Sequence, residues 1–418
     1  MRLHILVVCL AAAASAGAEG VLTVEEAVAE AVENNLELLA RRYEISLAEA
    51  QRITAGLRPN PILSVGGDHL DLLGTGYDAV NNAGPQEFSI RTDFVIERGN
   101  KRRRRLEVAE ADVEAARLNL LDATRRLILQ VQEGFVDPQL AKDQLQLARQ
   151  SLEALDKVVQ INEVRLRAGE LAAVELARSR VAALQLRNQV RQAELRVRRN
   201  ANALQFLLGR RQPRPDFDIA GAMRLDEGPS DPAALSRLAL ARRPDLRYLR
   251  REQARALADL RLQLAQAKVD YVVGWEYRRQ QGLAGTGNSL GLFFQTNLPV
   301  FNRNQGEIER ARQRQRQIEA RLRELEASIA LEIENAWESF VTARRLLGDI
   351  ERDMLGQARE VRDITEFSYR RGEASLIEFL DAQRAFNETM QAYQEARAEY
   401  SRSLYLIDAV TGATGGQP

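Results

Sequence analysis

The second half of the chain repeats the first, and this duplication limits the folds that are open to it. Gly169 and Gly209 align with Gly372 and Gly412 under a single offset, and each of the first pair stands near the end of a helical pattern. An ordinary solenoid needs about three repeats to bury a core. Two repeats in one chain therefore suit a ring in which other copies supply the missing neighbours. The predicted first repeat, Pro/Gly/Asp-rich equatorial connector and second repeat span residues 22–209, 210–230 and 231–412, with a tail at 413–418.

Each repeat has the same order of predicted elements: a helix, two alternating segments, a very long helix, a glycine turn and a last helix. The long helices carry apolar residues at a 3-4 spacing, as in Leu106, Ala109 and Val113, which predicts a narrow coiled-coil seam. Proline removes a helical hydrogen bond, so we expect Pro138 to bend or break the first long helix. The predicted bounds in chain order are strands at about 61–70 and 86–97, helices at 101–168 and 172–208, strands at about 269–279 and 288–301, and helices at 305–371 and 375–410.

The alternating segments separate two classes of protein. In the second of them, Phe88, Ile90 and Phe94 share one face, and Arg91 and Asp93 share the other. About ten residues of this alternation suit a tilted strand that crosses a bilayer, but a half-buried soluble sheet alternates in the same way. A charged second face and no helix suited to cover the sheet favour the membrane interpretation. Bacterial barrels begin at eight strands, so four strands per chain require several chains.

The N-terminus predicts export. Residues 1–18 have a positive start, an apolar core and small residues at a cleavage site, which is the pattern of a secretory signal peptide. Cys9 is the only cysteine and follows Val8 rather than a small residue, so we expect no lipid anchor. No later stretch reaches the ~20 apolar residues of a membrane-spanning helix, so a membrane would be crossed as a β-barrel.

Charge and residue inventory exclude several functions. The chain has 59 Lys and Arg against 59 Asp and Glu, so it carries no bulk bias toward nucleic acid. Cleavage would leave His69 as the only histidine and no cysteine, which argues against a zinc or copper site. No phosphate loop or nucleophile elbow is present. We therefore expect no cofactor, no metal site and no catalytic residue.

Four stretches carry a resemblance to a known family: LTVEEAVAEAVENNLEL, AGLRPNPILSV, LPVFNRNQGEIERARQ and YRRGEASLIEFLDAQRAFNETMQAY. With the two-repeat layout and Gly412, they make the chain similar to the TolC family of outer-membrane efflux ducts over nearly all of its mature length. GLRPNP, IERGNKRRRR and LPVFNRNQGEI resemble most the branch that serves cobalt–zinc–cadmium efflux.

The resemblance implies a mainly α fold with membrane β-strands: a homotrimer whose long helices form an α-barrel and whose strands, four per protomer, form a 12-stranded β-barrel. It implies a passive duct in the bacterial outer membrane with a long periplasmic extension, in contact with lipid. A periplasmic adaptor and an inner-membrane pump, RND-type or other, would be the partners, and heavy-metal cations the cargo. Multidrug efflux, type I protein secretion and a non-pore exported coiled-coil scaffold remain alternatives.

The resemblance also assigns the closed end of the duct. Tyr369 matches the family's tyrosine that hydrogen-bonds to an acid at Glu175 across the aperture, and Glu378 and Asp381 match acids that ring it. Ala374 takes the place of a restraining arginine, which Arg370 or Arg371 could replace. The expected adaptor contacts are the turn residues Arg167, Gly169, Glu170, Arg371, Gly372 and Glu373.

Two features have competing interpretations. Ser375 and Glu378 fit a helix capping box, which would explain Glu378 without an aperture. The basic run at Lys101–Arg105 begins a helix, where the dipole disfavours cations. We expect it to face lipid phosphates or the tunnel wall, or else to form a solvated helix face.

Overall fold

A computed structural model describes residues 21–70, 72–74, 86–282 and 285–413. The predicted signal peptide, with Cys9, lies outside the described residues, as does the predicted tail beyond residue 413. Within the described residues no helix is long and apolar enough to cross a membrane.

Within the described residues the chain is mainly helical with four antiparallel strands, which confirms the predicted mainly α fold with β-strands. A π-helical turn at Ile350–Met354 separates α7 from α8. The elements in order are α1 Val24–Asn34, α2 Leu36–Ala55, β1 Ile62–Asp68, β2 Glu87–Ile96, α3 Lys101–Arg167, α4 Ala173–Leu207, α5 Pro232–Arg242, α6 Pro244–Gln266, β3 Tyr271–Gly282, β4 Gly285–Thr296, α7 Gln305–Asp349, α8 Leu355–Arg371 and α9 Leu376–Thr411.

The four strands form one sheet in the order β1-β2-β3-β4. Phe94 pairs with Val273, and Val273 pairs with Phe294, so these three side chains share a face. The large apolar side chains of this face are exposed. The opposite face carries ion pairs, including Arg91 with Asp93 at 3.0 Å. The sheet therefore has one apolar face and one charged face, and neither is a closed core.

The helices belong to two compact units. One contains α1, residues 127–167 of α3, α4, the connector, the chain from residue 338 through α8, and α9 as far as residue 406. Its core includes Val136, Met223, Ala398 and Tyr405, which pack together. The other contains α2, the sheet, α5, α6, the first parts of α3 and α7, and the end of α9. In it Arg243 is buried and pairs with Asp245 and Glu332.

α3 runs through Pro138 without the break that was one of the two expected outcomes, and the bend stays a prediction. The ring of a helical proline clashes with the carbonyl four residues earlier, and that residue is Gly134. Leu207 lies 3.0 Å from where a side chain would start on Gly134. Asn200 donates to the Asp137 carbonyl at 3.1 Å, and Arg402 pairs with the Asp137 side chain at 2.6 Å. Contacts on both sides thus hold the helix through the proline.

Candidate functional site

Two glycine turns join the helices at the predicted site. Gly169 follows α3 with φ 79°, and Gly372 follows α8 with φ 81°, a left-handed conformation that only glycine adopts without strain. In each turn the next residue closes the helix end: the Glu170 amide donates to Arg165 O and the Glu373 amide to Ser368 O, both at 2.9 Å. Of the predicted turn residues, four are charged and exposed: Arg167, Glu170, Arg371 and Glu373.

Glu378 forms the capping box at the start of α9. Its Oε2 accepts from the Ser375 amide at 2.7 Å and from the Ser375 hydroxyl at 2.9 Å. The Glu378 amide donates back to the Ser375 hydroxyl oxygen at 3.3 Å. The hydrogen bond from the Ser375 amide holds the pKa of Glu378 below its ordinary value. The carboxylate is exposed, so the cap does not exclude a second role.

Tyr369 is fully buried, and its hydroxyl donates to Asn162 Oδ1 at 2.6 Å. Its ring stacks on Phe379 with centroids 5.5 Å apart. Burial raises the pKa of the hydroxyl above its ordinary value, so the proton that makes this hydrogen bond stays in place at neutral pH. Within the described chain the partner of Tyr369 is thus Asn162, and its hydrogen bond to Glu175 across the aperture stays a prediction.

Glu175 lies in the first turn of α4, three residues after Ala172, which offers no side-chain cap. Its carboxylate is close enough to Tyr369 to raise the pKa of that hydroxyl. Within the described chain Glu175 has no salt-bridge partner. The carboxylate of Glu175 can therefore bind an added cation, whereas the carboxylate of Glu378 is engaged in the capping box.

Asp381 is exposed and pairs with Arg384 at 3.0 Å, one turn further along α9. It lines a groove of about 400 Å³ between α4 and α9, whose floor includes Leu155 and Leu186. Such exposed pairs are weak, with a typical worth of ~0–1 kcal/mol. Asp381 can therefore leave Arg384 for another cation at little cost.

Within the described chain, neither residue expected to replace the restraining arginine pairs with Glu175, Glu378 or Asp381. Arg370 pairs with Glu366 on its own helix, and the Arg371 guanidinium lies 4.6 Å from the centre of the Phe367 ring. Ala374 instead packs against the buried cluster that includes Tyr369 and Phe379.

Two residues at this site were missed by the sequence analysis. The Arg165 Nη2 atom lies 2.9 Å from where a side chain would start on Gly372, so a cation from α3 reaches the second turn. Asn162 is fully buried, and its Nδ2 has no partner within the described residues. One sequence feature could have identified Asn162: it continues the 3-4 spacing of Leu155 and Val158, so it is a polar residue at a seam position.

The described residues contain no group of three His, Cys, Asp or Glu side chains that could hold a metal ion. The acids at this end of the molecule are spread along α4 and α9. The arrangement can present carboxylates beside a groove of mixed polar and apolar lining, with backbone turns that fix their positions.

Comparison with known proteins identifies the family. The model of the outer membrane efflux protein family matches residues 27–210 and 235–413. The cobalt-zinc-cadmium resistance protein CzcC of Cupriavidus metallidurans is 24% identical over 409 residues, which cover 94% of this chain and 91% of CzcC. The cation efflux system protein CusC of Escherichia coli K12 is 24% identical over 309 residues, 69% of this chain and 64% of CusC. A crystal structure of CusC has the same fold, with a TM-score of 0.76 at 20% identity over 93% of this chain and 92% of that one. The chain belongs to the outer membrane efflux protein family.

Proposed function

We propose that three copies of the chain form a passive duct through the outer membrane. The observation that carries this proposal is the two-faced sheet, with exposed apolar side chains on one face and ion pairs on the other. Its edge strands β1 and β4 each pair on one side only in the described chain. Open edges of this kind seek a partner strand. Three sheets joined edge to edge would form one closed sheet of twelve strands with its apolar face toward lipid.

The helices also present surfaces that suit a second copy. Val361, Ile364 and Phe367 of α8 are spaced three residues apart, and each is more than half exposed. Residues at this spacing lie on the same side of a helix, so they form an apolar stripe. Exposed apolar patches mark interaction surfaces in soluble regions. Neighbouring protomers in the trimer would cover this stripe.

The aperture would lie at the glycine turns. Threefold symmetry would gather copies of Glu175, Glu378 and Asp381 around one axis, and Tyr369 would hold the turn that carries them. Carboxylates so close together favour cations. We expect Glu175 and Asp381 to respond most to added cations, because Glu378 is engaged by the cap and Asp381 has only a weak exposed partner.

The duct would have no catalytic activity, and its partners would supply energy and cargo. An inner-membrane pump of the RND or another type would drive transport. A periplasmic adaptor would bind the exposed charged turns at Gly169 and Gly372. The relatives CzcC and CusC, named for cobalt, zinc and cadmium resistance and for cation efflux, favour heavy-metal cations as the cargo.

A growth panel tests the cargo. A strain that lacks this gene would be grown in zinc, cobalt, cadmium, copper, dyes, bile salts and antibiotics, with the wild-type gene restored as the control. We expect sensitivity confined to divalent metals. Sensitivity to drugs and detergents would indicate that the cargo is drugs rather than metals. Loss of a secreted protein would indicate type I secretion.

A further inference from the structure

The basic run Lys101–Arg105 has two kinds of member. Lys101 is buried and pairs with Asp270 at 2.7 Å, which ties the start of α3 to β3. Arg105 pairs with Glu97 and donates to the Leu57 carbonyl at 3.1 Å, which ties α3 to the end of α2. These two cations have acidic partners and hold the helix to the sheet.

Two other members of the run, Arg102 and Arg103, do not hold the helix to the sheet. The Arg103 side chain is 77% exposed, and its one carboxylate partner, Glu107, lies 3.3 Å away. Glu107 is also bound by Arg104, at 2.7 Å. Arg102 is exposed and donates through Nε to the Gly56 carbonyl, so its two terminal nitrogens remain available. The surface of α3 at this point carries more positive charge than its acids offset.

Arg58 adds a third cation from a different part of the chain. It is exposed and has no ion-pair partner within the described residues. Arg58, Arg102 and Arg103 line one groove of about 470 Å³ together with Pro59 and Ile96. Three arginines thus line the groove with apolar side chains beside them, and Glu97, which also lines it, is paired with Arg105.

The second repeat differs in the first turn of its long helix. The first turn of α3 contains no acidic residue, although cations at the positive end of a helix dipole are unfavourable. The first turn of α7, which occupies the same place in the second repeat, contains Glu307. Arg310 and Arg312 follow there, and each pairs with a glutamate on its own helix. The first turn of α3 thus lacks the acid that the first turn of α7 has, so its exposed arginines can take up an anion from outside the chain.

The position of the groove indicates which anion. It lies where β2 ends and α3 begins, beside Ile96, and Phe94 and Ile96 belong to the exposed apolar face of the sheet. Lipid acyl chains that cover this face would bring their headgroups to this level. Arginine binds phosphate with two parallel hydrogen bonds, which suits a headgroup that arrives with its acyl chains alongside.

We propose that Arg58, Arg102 and Arg103 form a binding surface for the phosphate of an anionic phospholipid in the periplasmic leaflet of the outer membrane. The proposal rests on the proposed membrane insertion of the sheet. The surface would fix the depth of the sheet in the bilayer, because the cations sit at one end of its apolar face.

Native mass spectrometry of the detergent-purified assembly tests the proposal with phosphatidylglycerol as the probe and phosphatidylcholine as the neutral reference. We expect R58Q/R102Q/R103Q to weaken phosphatidylglycerol retention by about tenfold or more, since each basic residue near an anionic surface contributes separately. The control R310Q/R312Q/R316Q removes the same charge from exposed positions on α7 and should leave retention within about twofold.

Equal retention by the triple variant and the wild type would overturn the proposal. So would full displacement of the lipid by excess inorganic phosphate, which would make the groove a site for free anions. If the triple variant does not assemble, R58Q alone serves, because Arg58 lies outside α3 and is exposed. A wild-type protein that fails to enter membranes would overturn the proposed function and this inference together. Normal insertion with unchanged lipid preference would overturn this inference alone.

Discussion

The two glycine turns have nearly the same backbone and different chemistry around it. Gly169 and Gly372 differ by 2° in φ, at 79° and 81°. After Gly169, α4 starts at Ala173, its N-cap residue Ala172 offers no side-chain cap, and Glu175 has no salt-bridge partner within the described residues. After Gly372, α9 starts with a capping box that engages its glutamate. The duplicated position therefore carries a glutamate with available charge in one repeat and a structural glutamate in the other.

This difference shows what alignment of the repeats can and cannot predict. Alignment finds the turn, because the left-handed backbone demands glycine in both copies. It does not find the role of the acid, which depends on whether a serine or an alanine stands three residues earlier. The same holds at the start of the long helices, where only the second repeat has an acid in the first turn.

The largest effect is expected for the buried tyrosine, which the first repeat lacks. Y369F would leave Asn162 Oδ1 buried without its donor and should lower the free energy of unfolding by ~1–3 kcal/mol. The double variant Y369F/N162L removes both partners and should recover part of that loss. Y393F is the matched control, because its hydroxyl bonds Glu351 at 3.0 Å in an exposed position. Chemical denaturation measures all three, and equal losses for Y369F and Y393F would contradict the account.

Alanine at the two glycines compares the turns directly. Each substitution forces a left-handed alanine, at a cost of ~1–2 kcal/mol. At Gly169 a side chain would meet nothing within 4 Å, whereas at Gly372 it would meet Arg165 Nη2 at 2.9 Å. We therefore expect G372A to be slightly the more destabilising in thermal unfolding, because the far end of the flexible Arg165 side chain can move aside. If G169A were the worse of the two, Arg165 would not be placed over the second turn.

Exchanging the caps would exchange the properties of the turns. S375A should destabilise the protein by ~1 kcal/mol, because it removes the side-chain acceptor at the start of α9. A172S should stabilise it, because the new hydroxyl would stand three residues before Glu175, as the hydroxyl of Ser375 stands before Glu378. The calorimetric midpoint measures both. No gain from A172S would mean that α4 cannot adopt the capped geometry.

The smallest effect concerns pH. A carboxyl whose pKa is lowered on folding contributes stability above its unfolded pKa and loses it as pH falls through its folded pKa. The pKa of Glu378 is lowered by its bonds with Ser375. E378Q should therefore lower Tm at neutral pH, and its difference from the wild type should vanish under acid conditions. In the S375A background, the Tm difference between Glu378 and E378Q should be smaller than in the wild type. An unchanged Tm difference would mean that the side-chain cap does not cause the pKa shift of Glu378.

Sequence alone predicted the strands well where alternation and hydrogen bonding agree. β2 was expected at about 86–97 and lies at Glu87–Ile96. β4 was expected at about 288–301 and lies at Gly285–Thr296. Apolar alternation continues beyond Thr296 to Leu298 and Val300, but Pro299 between them has no amide to donate to a ladder.

The site was less predictable, because its contacts join distant parts of the chain. Tyr369 reaches Asn162 across 207 positions, and no local pattern fixes such a contact. Asn162 could have been suspected only as a polar residue in an apolar seam. The break at Pro138 was expected from local propensity, and packing of the surrounding helices overrides it.

Conductance of the purified protein in planar bilayers tests the central claim most directly. A trivalent cation would be added on the side of the turns, and wild type would be compared with E175Q/D381N and with R310Q as the control. The account predicts discrete channels of one size that the cation blocks, with block weakened in E175Q/D381N and unchanged in R310Q. Folded trimers that insert into the bilayer and conduct no ions would contradict it.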